Sequence, residues 1–332
     1  MTGKFPIRST VILTVTGMLA VIIPLLLMEA GVLDAYTTRI FTMGGVNAIM
    51  AMSVNMIVGV TGQLSLGQAG FLTIGAYGCI FFHFDLGLPL PVATLCAVLI
   101  TALAGFIIGF PVLKLSGDYL AIVTLGFGEI IRVVFINLRT LTGGPNGRNF
   151  TTDMVMNGRL AFTVTTVTLI VVLALLQNFL RSTYGRAIKA CREDEIAANA
   201  NGINTFRYKM TGFVTAAFIA GIGGSLYAMA VGFVRPDMAQ FLRSIDFLIY
   251  VVLGGMGSMT GSILAAYTLT YLQEFLRFLQ DYRLVIYPVL LIVMMLFRPK
   301  GLLGMKEFSI VGFVDKVSGF LSKRKPKPEM NR

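Results

Sequence analysis

The stretch DLGLPLPVATLCAVLITALAGFIIGFPVLK, Asp85 to Lys114, runs from one charge to the next with no Asp, Glu, Lys or Arg between them. About 20 consecutive apolar residues cross the hydrocarbon core of a bilayer as a helix, so this interval is long enough to span. Its apolar residues are continuous, whereas a membrane β-strand alternates apolar and polar positions. Only helices and closed barrels satisfy every backbone hydrogen bond in lipid. The stretch therefore reads as a membrane helix.

The same pattern recurs on both sides. Charge-free intervals separate Arg8 from Glu29, Arg39 from Asp85, Arg159 from Arg181, Lys209 from Arg235 and Asp246 from Glu274. A soluble chain of 332 residues would divide into domains with separate cores, and these intervals exclude that. The expected fold class is all-α: a polytopic membrane protein of about 8–10 membrane helices, some broken by glycine or re-entrant. Spans are expected near 9–28, 40–60, 64–84, 88–110, 118–138, 159–180, 210–233 and 284–297, with 247–273 read separately. Residues 1–305 form the membrane domain and 306–332 a basic tail. Lys4 and Arg8 precede an apolar run with no clean small-x-small cleavage site, which reads as a retained first helix. Cys79, Cys96 and Cys191 match neither a metal-ligand spacing nor a disulfide framework.

A net charge of +11 could point to nucleic acid, but cytoplasmic loops of membrane proteins are themselves enriched in Lys and Arg. The N-terminal tip carries +2, the island Arg181–Lys209 +3 (six basic, three acidic) and the tail from Arg298 +6 (nine basic, three acidic). All three are expected in the cytoplasm. If 247–273 crossed once, the tail would end outside. A segment that enters and returns removes the conflict, and VVLGGMGSMTGSILAAY, Val251–Tyr267, invites this with Gly254, Gly255, Gly257 and Gly261.

A second glycine-broken stretch, GVTGQLSLGQAGFLTIGAYG, lies at Gly59–Gly78. Broken segments in both halves are how many transporters build a central site. Gly62, Gln63, Ser65, Gly67, Gln68, Gly254, Gly255 and Gly257 are therefore candidates for a translocation pathway. Close helix packing is the competing reading, since small residues let backbones approach in lipid.

The motifs TGQLSLGQAGFLTIGAYG (61–78), LTGGPNG (141–147), YGRAIKACREDEIAANANGINTFRYK (184–209), VLGGMGSMTGSILAA (252–266) and FRPKGLLG (297–304) occur in one order nearly end to end. In this the chain resembles the permease subunit of bacterial branched-chain amino acid ABC importers, the LivM branch of the LivH/LivM family. Many members have His where this sequence has Gln68, so no titratable group stands there. The resemblance implies a LivH-like second permease, two cytosolic ATP-binding subunits and a periplasmic substrate-binding protein, with no cofactor on this chain. The sequence agrees in lacking a G-x-x-x-x-G-K-[ST] loop, which places ATP hydrolysis on a partner.

The resemblance also gives the charged island a role: a short cytoplasmic helix that transmits ATPase closure to the pore. Gly185, Arg186, Arg192, Glu193, Asp194, Glu195, Ala197 and Gly202 are its candidate residues. Asp194 can cap the helix, Glu195 suits its first turn and Gly202 can end it. Ile196, Ala197, Ala200 and Ile203 would form an apolar docking face, while Arg186, Lys189 and Arg192 could meet acidic ATPase residues or lipid headgroups. A solvated charged loop is the competing reading.

Gly143, Gly144 and Asn146 of the turn-forming LTGGPNG are candidates for an external rim near the binding protein. Glu129 and Arg132 share a helical face and are expected to pair. His83 is expected at a helix end. An ion-coupled secondary carrier would need more intramembrane carboxylates than Glu129. A membrane-embedded enzyme would need a cluster of His, Asp, Glu or Cys. A purely structural subunit would not need two glycine breaks. The cargo itself is not written in this chain.

Overall fold

In the computed structural model the described residues are 34–149 without 116, 156–297, and Gly301 and Gly304. The expected helix 9–28 and the tail 306–332 lie outside them. Five described helices are long and apolar enough to cross a membrane. They are α1 (Ala35–Val60), α3 (Leu90–Val112), α4 (Asp118–Asn137), α5 (Gly158–Arg181) and α8 (Thr205–Val231). The other described α-helices longer than four residues are α2 (Gln68–Ile80), α6 (Thr183–Glu193), α7 (Glu195–Ala200), α9 (Phe241–Gly254), α10 (Met259–Phe275) and α11 (Arg283–Phe297). The protein is a multi-pass helical membrane protein, as its apolar runs require.

Helices α1 and α8 form the centre. α8 packs on α1, α2 and α3, while α1 also packs on α5 and α10. The contacts are made by small residues. A Cβ on Gly75 would come within 2.7 Å of Gly221 Cα, and one on Gly105 within 2.5 Å of Ala217 Cβ. With no hydrophobic drive between helices in lipid, close backbone approach supplies the van der Waals gain. The outer helices α3, α4 and α5 turn Leu95, Leu99, Ile107, Ile130 and Leu175 outward, where lipid tails cost them nothing.

The 64–84 expectation shortens at its start. Gly62 takes φ +72, and Thr61 N and Gln63 N donate back to the carbonyls of Met56 and Ile57. Those bonds close α1 in a π turn, Met56–Val60. Leu66 N then donates to Thr124 Oγ1 at 3.0 Å, and α2 begins only at Gln68. Residues 61–67 are thus irregular backbone, with the N–H groups of Thr61, Gln63 and Leu66 met by protein, and such backbone is tolerated in a membrane only where protein or a water-filled cavity surrounds it.

The 247–273 segment folds back on itself as a helical hairpin. Helices α9 and α10 pack on each other across the turn Gly255–Ser258, where Gly255 and Gly257 hold φ +107 and +91. A Cβ on Gly254 would lie 2.5 Å from the Gly261 carbonyl carbon, so the two arms cross at their glycines. The arms have 14 and 17 residues, about 21 and 25 Å at 1.5 Å per residue. α10 runs antiparallel to α1: Asn55 meets Ser262 at 3.0 Å, Asn47 meets Thr270 at 3.0 Å, and Tyr36 bonds Glu274.

One departure from an all-helical chain is a two-residue antiparallel ladder, β1 (Arg148–Asn149) with β2 (Phe233–Val234). Two extended loops lie side by side there and satisfy each other's backbone groups. The ladder fixes Arg148 and Val234 at one end of the bundle. The island and the turn Gly255–Ser258 lie at the other.

Candidate functional site

The two glycine breaks meet. Asn55, in the last α-helical turn of α1, accepts from Gly257 N at 2.8 Å through Oδ1. Its Nδ2 donates to the Ser258 carbonyl at 2.9 Å and to Ser262 Oγ at 3.0 Å. Gly59 sits inside this contact, because a Cβ there would fall within 2.9 Å of Asn55 Cγ and closer still to Gly257 N. Only a residue without a side chain lets the two backbones share one amide.

Arg192, from the last turn of α6, reaches the same place. Its Nη1 donates to the Gly59 carbonyl, and its stem lies over Gly62, where a Cβ would come within 2.8 Å of Arg192 Cγ. Gly257 is close by, with an added Cβ 3.5 Å from Arg192 Nη1. A cation at the C-terminal end of α1 also meets the negative end of that helix dipole.

The eight pathway candidates divide. Gly62 is exposed and Gly257 partly so, whereas Gln63, Ser65, Gly67, Gln68, Gly254 and Gly255 are buried within the protomer. Gly67 packs under Thr124, Gly254 against Gly261, and Gly255 against Gly301 and Gly304. The Gln68 amide, 1% exposed, lies 3.0 Å from Ser53 Oγ, which donates at 2.7 Å to the Ala216 carbonyl. The side chains that do project from the breaks are Leu64, 37% exposed, and Met256, 46% exposed.

The island is two helices rather than one. Gly185 is buried, its Cα so close to Leu180 that a Cβ would come within 2.5 Å of Leu180 Cα. It therefore seats α6 on the end of α5 instead of facing out. Arg186 folds back onto the Arg181 carbonyl (2.9 Å) and Thr183 Oγ1 (3.1 Å), while Lys189 and Glu193 are exposed.

Asp194 caps α7 by accepting from Ala197 N at 2.9 Å, and Glu195 pairs with Lys209. At the other end Gly202 holds φ +79. Its N–H donates to Asn199 O and that of Ile203 to Ala198 O, the paired bonds of a Schellman stop. On this clamped turn Ala197 and Ala200 are exposed and Ile196 is 83% exposed. Ile203 is half-buried.

At the opposite end the 141–147 turn is held by Gly143, Gly144 and Gly147, all at positive φ. Gly143 and Asn146 are exposed and Gly144 is buried. Arg148 forms a two-pronged ion pair with Asp85 at 2.8 and 2.9 Å. Arg132 reaches Glu129 at 3.2 Å and Asp237 at 3.4 Å, so the expected pair is part of a small network. His83 Nδ1 lies 2.8 Å from the Leu88 carbonyl in the turn after α2.

A family model described as the branched-chain amino acid transport system permease component matches residues 36–297. The chain belongs to this permease family. It is 39% identical to the high-affinity branched-chain amino acid transport system permease protein LivM of Escherichia coli, over 81% of this chain and 70% of that protein. LivM of Salmonella typhimurium is likewise 39% identical, over 80% and 69%. The chain is also 26% identical to LivH of Escherichia coli, over 80% of this chain and 94% of LivH. No solved structure matches it.

For a member of this permease family, the residues that sequence reasoning missed are instructive. Asn55 of α1 binds the hairpin break through Gly257, Ser258 and Ser262 from within an apolar span. An amide in such a span is expensive unless partnered, and that cost was the available signal. Leu64 and Met256 carried no signal, because an apolar residue in an apolar run looks the same whether it faces lipid, core or a channel.

Proposed function

We propose that this permease is one of two related membrane subunits of an ATP-driven importer, moving branched-chain or related amino acids across the inner membrane. The chain's similarity to both LivM and LivH supports a pore built by this chain and a LivH-like partner. Two cytosolic ATP-binding subunits hydrolyse ATP, and a periplasmic binding protein delivers the cargo at the rim near Gly143 and Asn146. The island and both termini face the cytoplasm, in line with the positive-inside rule.

Solute passes at the contact with the second permease, where Gly62, Leu64, Met256 and Gly257 reach the surface. The buried candidates Gln63, Ser65, Gly67, Gln68, Gly254 and Gly255 hold that surface in place from behind. The observation that carries this reading is α7, a helix capped at both ends that offers Ile196, Ala197 and Ala200 to solvent at the basic end of the bundle. An ATPase cleft would cover this exposed isoleucine together with the small alanines beside it.

The test is Ala197→Trp. A bulky ring on the docking face is expected to leave membrane abundance unchanged while lowering recovery of the ATPase and its stimulation by loaded binding protein. Wild-type recovery and stimulation would remove α7 from the interface.

A further inference from the structure

We infer that Arg192 is a positioning residue that ties the island to the meeting point of the two glycine breaks, so that movement of α7 is passed on to that junction. The inference rests on the reading of α7 as the ATPase contact. It adds the link by which that contact reaches the membrane.

Three features make Arg192 the link. First, its guanidinium holds the Gly59 carbonyl at the end of α1, where carbonyls have no intrahelical partner and the helix dipole favours a cation. Second, its stem rests on Gly62, whose missing side chain and φ of +72 let the break pass beneath it. Third, Gly257 of the hairpin turn lies within reach of the same Nη1 and is itself bonded to Asn55 of α1. One side chain thus touches the first break and borders the second.

Its place in the chain completes the connection. Arg192 is the penultimate residue of α6, and Asp194, the cap of α7, follows after Glu193 alone. Force applied to Ile196, Ala197 and Ala200 reaches the two breaks through that short joint and Arg192, alongside a separate route into α8 through the Glu195–Lys209 pair. The other cations of α6 are placed differently: Arg186 is folded onto the Arg181 carbonyl and Lys189 is exposed. Arginine suits the task because its rigid, always charged fork keeps several donors aimed from one stem.

The test uses the complete importer, with both permeases, ATPases and binding protein, in lipid vesicles with labelled leucine as the probe. Arg192→Met keeps the stem over Gly62 and removes the donors. ATPase recovery is expected at the wild-type level, while leucine taken up per ATP hydrolysed falls about tenfold, the size of a typical coupling effect. Arg192→Lys, which restores a cationic donor group without the planar fork, is expected to recover part of that ratio.

A second readout does not depend on uptake. Spin labels at Lys189→Cys and Met256→Cys, with the native cysteines replaced, are expected to keep one distance with and without ATP when Arg192 is present. With Met at 192, the distance should change on ATP binding. An unchanged uptake-to-hydrolysis ratio together with an unchanged distance in Arg192→Met would overturn the inference. Loss of ATPase recovery in that variant would also overturn it, by placing Arg192 in the docking surface. Failure of the ATPase-contact reading shows separately, as wild-type ATPase recovery in Ala197→Trp.

Discussion

Asn55 and Gly257 share a hydrogen bond of 2.8 Å across 202 residues of sequence, and it joins the end of one membrane helix to the tip of a hairpin. Gly257 belongs to one interruption of an apolar run, and Asn55 lies one turn before Gly59, where the other begins. An interruption frees backbone groups that lipid cannot satisfy. Bringing two of them together lets one amide side chain serve the backbone of the other. The junction is therefore a structural necessity before it is a functional one.

Asn55→Leu is expected to destabilise the protein. It removes the acceptor of Gly257 N and the donor to Ser258 O, and an unmet buried group costs about 1–3 kcal/mol. Thermal unfolding in detergent should show a lowered midpoint, with Asn55→Asp partly sparing it by keeping the acceptor. An unchanged midpoint for Asn55→Leu would mean that the two breaks are held together elsewhere.

Gly67 and Gly254 should behave differently from Leu64 and Met256. Gly67→Leu and Gly254→Leu drive a side chain into the Thr124 and Gly261 backbones, and are expected to lower folded yield. Leu64→Cys and Met256→Cys should fold normally, because both side chains are exposed. Attaching a bulky thiol reagent to either should then block uptake in the assembled importer. Full uptake after complete modification would remove these two from the pathway.

Cys191 should be a slow thiol. Burial in the island pushes its pKa above the ordinary value, with Glu195 adding and Lys209 opposing. A raised pKa leaves less thiolate at any given pH, and the thiolate is the reactive form. Maleimide at pH 7.5 should therefore modify Cys191 far more slowly than an exposed cysteine at Lys189, with the rate still climbing as pH rises. Rapid modification at neutral pH would show that α6 does not stay packed on the membrane helices.

Side-specific labelling should separate the two ends of the bundle. Asn146→Cys is expected to react with an impermeant reagent from the periplasmic side. Lys189→Cys and a cysteine placed in the tail at Lys323 should react only from the cytoplasmic side. Gly301 and Gly304 already lie against Gly255, at the Arg192 end. Periplasmic labelling of the tail would reverse the assigned orientation.

The sequence by itself determined that this is a helical membrane protein, because crossing lipid requires an unbroken apolar run and such a run is a local property. It also determined the ends of α7, since Asp194 and Gly202 act on backbone groups within a few residues of themselves. The glycine breaks were visible for the same reason. What only the tertiary structure decided is that the breaks meet, that Asn55 and Arg192 hold them, and that most of the polar and glycine residues near them face inward. Those relations link residues as far apart as Asn55 and Ser258, 203 positions along the chain. They follow from how α1, α8 and α10 pack, and helical periodicity within one span carries no information about which neighbour will fill its groove.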